Sequence, residues 1–342
     1  MTVKLKDIAE KTGYSITTVS RALAGYSDVN EHTRQRILEV AAGLGYQPNL
    51  VARQLRSQRT QTLGMIIPHL DRHSFTNDFF TQLMLGAGDA AAPARYALLV
   101  SAQVPGEEEM AAYRHMVGGH RVDGIIVART RQSDPRISYL RSLGTPFVVS
   151  GRGAPGEQSD FPYIDVDSQA GLRMVVEHFV ALGHRHIGLI LPPPDIAYTG
   201  YRLTGYCEGL AAAGIAFRPE YVVYGDLLRT GGYHGAERLL SEQPQITAIA
   251  ASNDLMALGV LACIRARGLR VGIDVAVAGF DDIPAAEYAN PPLTTVHQPI
   301  YEIGQRLAGM LIGLIQGQPP AESQLVLTPA LVIRESSGSV AA

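Results

Sequence analysis

Short apolar runs recur at regular intervals through most of the chain, and a segment with helical spacing separates each run from the next. The runs are apolar on both faces, as expected of strands in a parallel sheet that helices cover on both sides. They are Leu63–Pro68, Ala97–Ser101, Gly124–Ala128, Phe147–Ser150, Ile187–Leu191, Val222–Gly225, Ala248–Ser252 and Val275–Gly279. Four such units, a break near Gly151–Tyr163 and four more predict an α/β body of two doubly wound subdomains.

Two more strand-like segments follow Pro291, namely Thr294–Gln298 and Gln324–Ile333, with a helix between them. We expect them to return the chain to the first subdomain and then to the second. The predicted body is residues 62–342, with lobe one at about 62–160 and 293–322, and lobe two at about 161–292 and 323–335. This architecture resembles periplasmic binding proteins, in which the ligand lies between the lobes at the carboxyl ends of the strands.

The first sixty residues follow a different pattern, with two short helices around a glycine turn and a third helix behind them. Gly13 ends the first segment, and Ser15 and Asn30 stand where the N-caps of the next two helices belong. The apolar positions at helical spacing are Leu5, Ile8, Ala9, Val19, Ala22, Leu23, Ile37, Leu38, Ala41 and Leu44. The pattern predicts a helix-turn-helix headpiece over residues 1–48, with a plain three-helix bundle as the alternative.

Charge is distributed unevenly along the chain. Residues 1–60 carry a net charge of +4, whereas the rest of the chain carries -7. A basic head on an acidic body indicates that the head meets a polyanion, although such an excess can also be a solvated surface.

The only cysteines, Cys207 and Cys263, exclude a disulfide framework. No apolar run could span a bilayer and the N-terminus lacks a secretion-signal pattern, so we expect a cytoplasmic protein without membrane contact.

Two runs in the first fifty residues carry a specific resemblance. Asp7 to Arg21 reads DIAEKTGYSITTVSR, and Thr33 to Asn49 reads TRQRILEVAAGLGYQPN. Both resemble the headpiece of the LacI-type family of bacterial transcriptional regulators, and the resemblance continues to residue 335. It implies a homodimeric repressor that binds pseudo-palindromic double-stranded operator DNA and responds to a small effector.

The resemblance also assigns roles within the headpiece. It places Ile16 and Thr17 at base edges, with Ser20 and Arg21 on the same helix. Ile16 suits a thymine methyl group, Thr17 can exchange hydrogen bonds with a base, and Arg21 suits guanine. The residues implied to position the DNA backbone are Ser15, Thr18, Asn30 and Tyr46.

Residues 49–61 are predicted to form a hinge helix and linker. So short a helix is marginal alone in water, and the resemblance implies that it folds when two copies meet in the minor groove. The DNA contacts implied there are Asn49, Ala52, Leu55 and Arg56, with Leu55 wedged between central base pairs. The alternative is an ordinary linker with Leu55 packed on the body.

A set of ligand-binding residues in the body is implied in the same way. Arg202 would aim a guanidinium into the cleft, Asp281 would accept from ligand donors, and Asn253 would meet a sugar hydroxyl. The other candidates are Asn77, Phe79, Phe80, Ser150, Asp254 and Gln298. An arginine fork, carboxylates and amides suit a mono- or oligosaccharide. Leu227, where several members carry an aromatic residue, disfavours a purine.

Each ligand candidate also has a structural alternative. Asn253 and Asp254 could form a helix N-cap, and Arg202 could form an ion pair between the lobes. Phe79 or Phe80 could belong to the core.

Catalytic motifs are missing from the sequence. No GxGxxG follows the first strand, and no GxxxxGK[ST] or GxSxG is present. His184 and His186 have metal-like spacing without further ligands, so we predict a structural or capping role for them. Asp281 and Asp282 are adjacent and should face opposite ways, which is poor geometry for acid–base catalysis. We therefore expect no enzyme, metal or cofactor. The alternatives are a solute-binding protein or a Rossmann-type enzyme, neither of which should form a sequence-specific DNA complex.

Overall fold

The computed structural model describes residues 3–46, 59–68 and 78–338. The chain divides into two units between Arg59 and Thr60, called the headpiece and the body below. Five of the candidate residues lie outside the described ranges, namely Asn49, Ala52, Leu55, Arg56 and Asn77.

The headpiece consists of three helices, as the sequence predicts. They are α1 Leu5–Thr12, α2 Ile16–Leu23 and α3 Glu31–Gly43. Gly13 ends α1 with a left-handed φ of 78°, a conformation that glycine adopts without steric cost. The Ser15 hydroxyl accepts a hydrogen bond from the Thr18 amide at 3.0 Å, and the Asn30 side chain accepts one from the His32 amide at 2.9 Å. Both predicted N-caps are confirmed.

A small apolar core holds the three headpiece helices together. Ile8, Val19 and Ile37 are fully buried in it, with Ala22 and Ala41 beside them. Leu38, predicted as a core position, is instead 41% exposed. Leu38 directly follows the buried Ile37, and successive side chains of an α-helix are about 100° apart around its axis. The Leu38 side chain therefore points away from the core.

The body alternates strands and helices over the described residues. Its strands are β1 Thr62–Pro68, β2 Ala97–Gln103, β3 Gly124–Ala128, β4 Phe147–Ser150, β5 Tyr163–Val166, β6 Ile187–Leu191, β7 Val222–Tyr224, β8 Ala248–Ala251, β9 Ala276–Asp281, β10 Thr294–His297, β11 Gln324–Leu327 and β12 Ala330–Val332. Its α-helices are α4 Asp78–Ala91, α5 Glu107–Gly118, α6 Pro135–Ser142, α7 Ser168–Ala181, α8 Tyr198–Ala212, α9 Arg229–Glu242, α10 Asp254–Ala266, α11 Pro284–Glu287 and α12 Ile300–Ile315. All eight predicted apolar runs form strands, with ends shifted by at most a few residues.

Two six-stranded sheets define two lobes. In lobe one the strand order is β11-β5-β4-β3-β1-β2, and in lobe two it is β12-β10-β9-β8-β6-β7. Every pairing is parallel except β10 with β12. Helices cover the strands, and apolar clusters fill the spaces between sheet and helices. None of the helices in the described ranges is long and apolar enough to cross a bilayer.

The two predicted crossovers after Pro291 differ in part from the structure. Thr294–His297 joins the sheet of lobe two beside β9, and Gln324–Leu327 joins lobe one beside β5. The second half of the Gln324–Ile333 segment, Ala330–Val332, does join lobe two as predicted, beside β10. The predicted lobe boundaries therefore shift, because β5 and β11 belong to lobe one and β10 belongs to lobe two. The sheet that a short strand joins depends on which edge is open, and neither sequence segment reveals that.

Helices α4 and α12 approach each other closely through glycines in lobe one. A Cβ atom on Gly86 would overlap the backbone carbonyl oxygen of Tyr301, and one on Gly304 would overlap that of Leu83. Gly88, two residues along the same helix, has open space where its Cβ would lie. This close helix pair packs against the sheet of lobe one.

We expect Gly86→Ala to destabilise the body by about 1–3 kcal/mol, because the two helix backbones must separate to admit a methyl group. Gly88→Ala, the matched control, should be neutral or stabilising by up to about 1 kcal/mol, because alanine has the higher helix propensity. Denaturant unfolding of the intact chain checks both. Equal unfolding midpoints for wild type and Gly86→Ala would contradict the described packing.

Candidate functional site

The candidate base-reading residues share the solvent face of α2. Ile16 is 49% exposed, and Thr17 and Arg21 are also exposed, whereas Val19 and Ala22 on the other face are buried. The prediction that Val19 packs in the core is confirmed. The helix therefore presents an apolar contact group, a hydroxyl and a guanidinium on one surface.

Arg21 already has partners within the headpiece. Its guanidinium forms an ion pair with Asp28 and lies 4.9 Å from the centre of the Tyr26 ring. Both members of the ion pair are about half exposed, and exposed pairs contribute about 0–1 kcal/mol. Releasing Arg21 toward a DNA base therefore costs little.

The residues predicted to position the DNA backbone also have structural roles within the headpiece. Ser15 and Asn30 cap α2 and α3 as described above, and the Thr18 hydroxyl lies 2.9 Å from that of Ser15. Tyr46 packs against the headpiece core with its ring half buried. Ser20 is half buried on α2.

A cleft of about 60 Å³ lies between the two lobes. Side chains at or just beyond the carboxyl ends of the strands form much of its lining, where doubly wound folds bind ligands. Six of the predicted ligand residues border it, namely Phe79, Ser150, Arg202, Asn253, Asp281 and Gln298.

Asp281 is the last residue of β9 and has an unusual backbone conformation. Its φ is 124°, a strained value for a residue other than glycine. The carboxylate is buried and accepts a hydrogen bond from the Gln298 amide at 2.6 Å. Asp282 turns the other way, toward Arg334 at 2.8 Å and His297 at 2.9 Å. The predicted opposite orientation of the two carboxylates is confirmed.

Arg202 lies one turn into α8, buried between two aromatic rings. Its guanidinium carbon is 4.3 Å from the Tyr198 ring centre and 3.9 Å from that of Phe280. It donates to the carbonyl oxygen of Ser252, and its Nε has no hydrogen-bond partner. Over the described ranges it forms no ion pair with any carboxylate. The alternative of an ion pair between the lobes therefore finds no support in the described structure.

Asn253 and Asp254 have different positions relative to the cleft. Asn253 borders it but caps α10, since its Oδ1 accepts from the Met256 amide at 2.9 Å and its Nδ2 donates to the Leu227 carbonyl at 3.1 Å. Asp254 is fully buried behind the cleft, where it accepts from the Thr295 hydroxyl at 2.5 Å and the Ile283 amide at 2.9 Å. Asp254 is thus not brought to the cleft surface.

The two phenylalanines of α4 also differ. Phe79 borders the cleft, whereas Phe80 is buried in the core of lobe one. The guanidinium carbon of Arg129 lies 5.0 Å from the centre of the Phe80 ring. Phe80 therefore supports a residue that lines the cleft rather than lining it itself.

Eight residues that line the cleft were not predicted from the sequence, and those with a charged or aromatic side chain are Arg129, Asp165 and Tyr198. Arg129 directly follows β3, so the rule that ligand residues follow strand ends could have found it. Asp165 lies in β5 and forms an ion pair with Arg152 at 3.0 Å. Burial raises the pKa of Asp165 to about 6.

A larger cavity, of about 170 Å³, lies at the amino ends of the lobe-two strands, among residues such as Arg185, Tyr206 and Tyr221. It is formed by lobe two alone, so a ligand there would not touch both lobes. For a ligand-controlled switch the smaller cleft is the better candidate.

His184 and His186 each have a hydroxyl partner. The Nδ1 atom of His184 lies 2.9 Å from the Thr247 hydroxyl, and that of His186 lies 2.9 Å from the Tyr221 hydroxyl. These contacts agree with the structural role predicted for both residues.

Comparison with known proteins identifies the family. A model described as bacterial regulatory proteins, lacI family, matches residues 4–49, and one described as a periplasmic binding protein-like domain matches residues 176–337. The chain is 35% identical over 334 residues to the HTH-type transcriptional regulator CelR of Thermobifida fusca, covering 97% of each chain. The chain belongs to the LacI family of bacterial regulatory proteins.

Solved structures of LacI-family proteins resemble the whole chain. The transcriptional regulator CelR–cellobiose complex has a TM-score of 0.76 at 32% identity, covering 98% of this chain and 99% of that one. The Lac repressor dimer bound to operator and the anti-inducer ONPF has a TM-score of 0.85 at 29% identity, covering 99% and 100%. The predicted family and fold class are confirmed, and the protein is a helix-turn-helix transcriptional regulator rather than an enzyme.

Proposed function

We propose that this LacI-family regulator is a homodimeric repressor whose affinity for a pseudo-palindromic operator is controlled by a saccharide bound between the lobes. The observation that carries the proposal is the cleft, because residues from both lobes line it. A ligand in such a place contacts both sheets and therefore favours one arrangement of the lobes over another.

The exposed face of α2 supports the DNA-binding part. One recognition helix reads too few bases for genomic specificity, so two headpieces on two half-sites are needed. The Lac repressor, a relative whose structure is known as a dimer bound to operator, matches the chain over nearly its full length. Since its target is bacterial DNA, we place the regulator in the cytoplasm.

The polar groups of the cleft support a saccharide effector. Arg202 supplies donors, and Asp281 and Gln298 supply both acceptors and donors. The relative CelR is known in complex with cellobiose. Leu227, at the position where several members have an aromatic residue, is buried in the lobe-two core, so it offers no stacking surface for a purine.

Control of operator binding follows from thermodynamic linkage. If the saccharide prefers the lobe arrangement that is incompatible with hinge pairing, it weakens operator binding by the ratio of its affinities for the two arrangements. We propose that the saccharide acts in this direction, as an inducer.

Calorimetric titration of the intact protein with a panel of mono- and oligosaccharides tests the effector class. We expect at least one sugar to bind at a single site per protomer. Binding of a purine or an amino acid, with no binding of any sugar, would contradict the proposal.

Leu55 is proposed to wedge into the centre of the operator. Leu55→Ala should then reduce DNA bending and weaken specific binding, because the unstacked and kinked step is no longer filled. Effector affinity should change little. A circular-permutation bending assay checks this, with Gln54→Ala as the neighbouring control. The same bend angle for Leu55→Ala and wild type would exclude the wedge.

A further inference from the structure

Arg129 lines the cleft, and none of the described residues forms an ion pair with it. It follows β3 in lobe one and lies over the face of Phe80. Over residues 3–46, 59–68 and 78–338, its guanidinium has no carboxylate within ion-pair distance and no hydrogen-bond acceptor. Burial lowers the pKa of Arg129, which reflects the cost of keeping a cation away from water without an anion beside it.

Arg202 faces the same cleft from lobe two and is also short of acceptors. Its one hydrogen bond within the described structure goes to the neutral Ser252 carbonyl, and its buried Nε has none. Aromatic rings on both sides hold the guanidinium in place. A planar guanidinium held in this way is ready to bind a carboxylate or phosphate.

The carboxylates around the cleft do not balance these two cations. Asp165 is already paired with Arg152. Asp281 accepts from the uncharged Gln298 amide. Burial and the nearby Asp254 raise the pKa of Asp281, and the charges of Arg202 and Arg129 oppose that rise only in part. Asp281 is therefore the one carboxyl group of the cleft lining that remains for Arg129 and Arg202.

We propose that the effector is an acidic saccharide, whose carboxylate or phosphate group is bound between Arg129 of lobe one and Arg202 of lobe two. This inference rests on the proposed function, since it specifies the class of saccharide in the same cleft. An anion between the two guanidinium groups would hold the lobes together electrostatically. It would also give Arg129 the partner that the described chain does not supply.

Matched sugars that differ in charge test the inference. The probes are glucose, glucuronate and glucose 6-phosphate, with cellobiose and cellobionate as a disaccharide pair, each titrated calorimetrically into the intact protein. We expect an acidic member to bind at least tenfold more tightly than its neutral partner, and its affinity to fall as salt is raised. Glucuronate and glucose 6-phosphate distinguish a carboxylate from a phosphate.

Two variants assign the preference to Arg129. Arg129→Met should abolish the preference for the acidic sugar, and Arg129→Lys should retain part of it. Arg185→Met removes a positive charge from the opposite end of lobe two. It should change neither the affinity for the acidic sugar nor that for its neutral partner. Thermal unfolding of each variant separates loss of the anion site from loss of the fold.

The possible outcomes separate the inference from the proposed function. If a neutral sugar binds as tightly as its acidic partner, or if Arg129→Met keeps the preference, the inference is wrong and the saccharide proposal stands. If none of the five sugars binds, the result counts against both.

Discussion

Replacing both Thr17 and Arg21 with alanine is expected to abolish discrimination between the operator and scrambled DNA. Both side chains lie on the exposed face of α2, and one good base contact is worth about 1–3 kcal/mol, or one to two decades in affinity. Each single substitution should relax specificity, and the double variant should bind both DNAs with similar, salt-dependent affinity. Fluorescence anisotropy with the two DNAs measures the ratio of the affinity for operator to the affinity for scrambled DNA.

The fold should survive these changes, because neither side chain belongs to the headpiece core. Gln35→Ala is a suitable control, since Gln35 is exposed on α3 and hydrogen-bonded to Glu39. It should leave both affinities unchanged. Undiminished operator preference in the Thr17 and Arg21 variants would remove α2 from its assigned role.

Replacing Asp281 with alanine is expected to give a regulator that still binds its operator but no longer responds to effector. Without the carboxyl group, a ligand hydroxyl in the cleft loses its partner, at a cost of about 1–3 kcal/mol. Effector affinity should therefore fall by one to two decades. Operator affinity without ligand should stay near normal, because the substitution leaves the headpiece intact.

Asp281→Asn provides the sharper comparison. Asparagine tolerates a positive φ better than alanine does and can still accept from Gln298, so this variant keeps the local structure. It should retain part of the response if the group acts mainly as a hydrogen-bonding partner. Calorimetry and operator anisotropy together measure both properties, with the exposed Glu242→Ala as a control. Equal effector affinity for wild type and both variants would remove Asp281 from the site.

The strands were predictable from the sequence where they are apolar on both faces, as at Gly124–Ala128 and Ile187–Leu191. Tyr163–Val166 was not, because its alternating polar residues resemble a loop. The partners of β10 and β11 were also predicted wrongly. β11 is the edge strand of the lobe-one sheet and β10 lies between β9 and β12 in lobe two, and long-range pairing decides which sheet each strand joins.

The candidate site shows the same division between local and long-range information. The N-cap roles of Ser15, Asn30 and Asn253 follow from the adjacent sequence, as the hydrogen bonds show. The burial of Asp254 behind the cleft depends on Thr295, which lies in a distant strand. That Arg129 has no ion-pair partner in the described part of the chain could not be predicted either, because it depends on where the fold places each carboxylate.

The most direct test of the account is one titration performed with and without effector. Operator fragments are selected from genomic DNA with the purified protein, and the best site is titrated by anisotropy in the presence and absence of the sugar that calorimetry identifies. We predict a site with two related half-sites and an affinity that the sugar lowers by at least tenfold. A protein that binds all fragments alike, or whose operator affinity the bound sugar does not change, would contradict the proposal of an effector-controlled repressor.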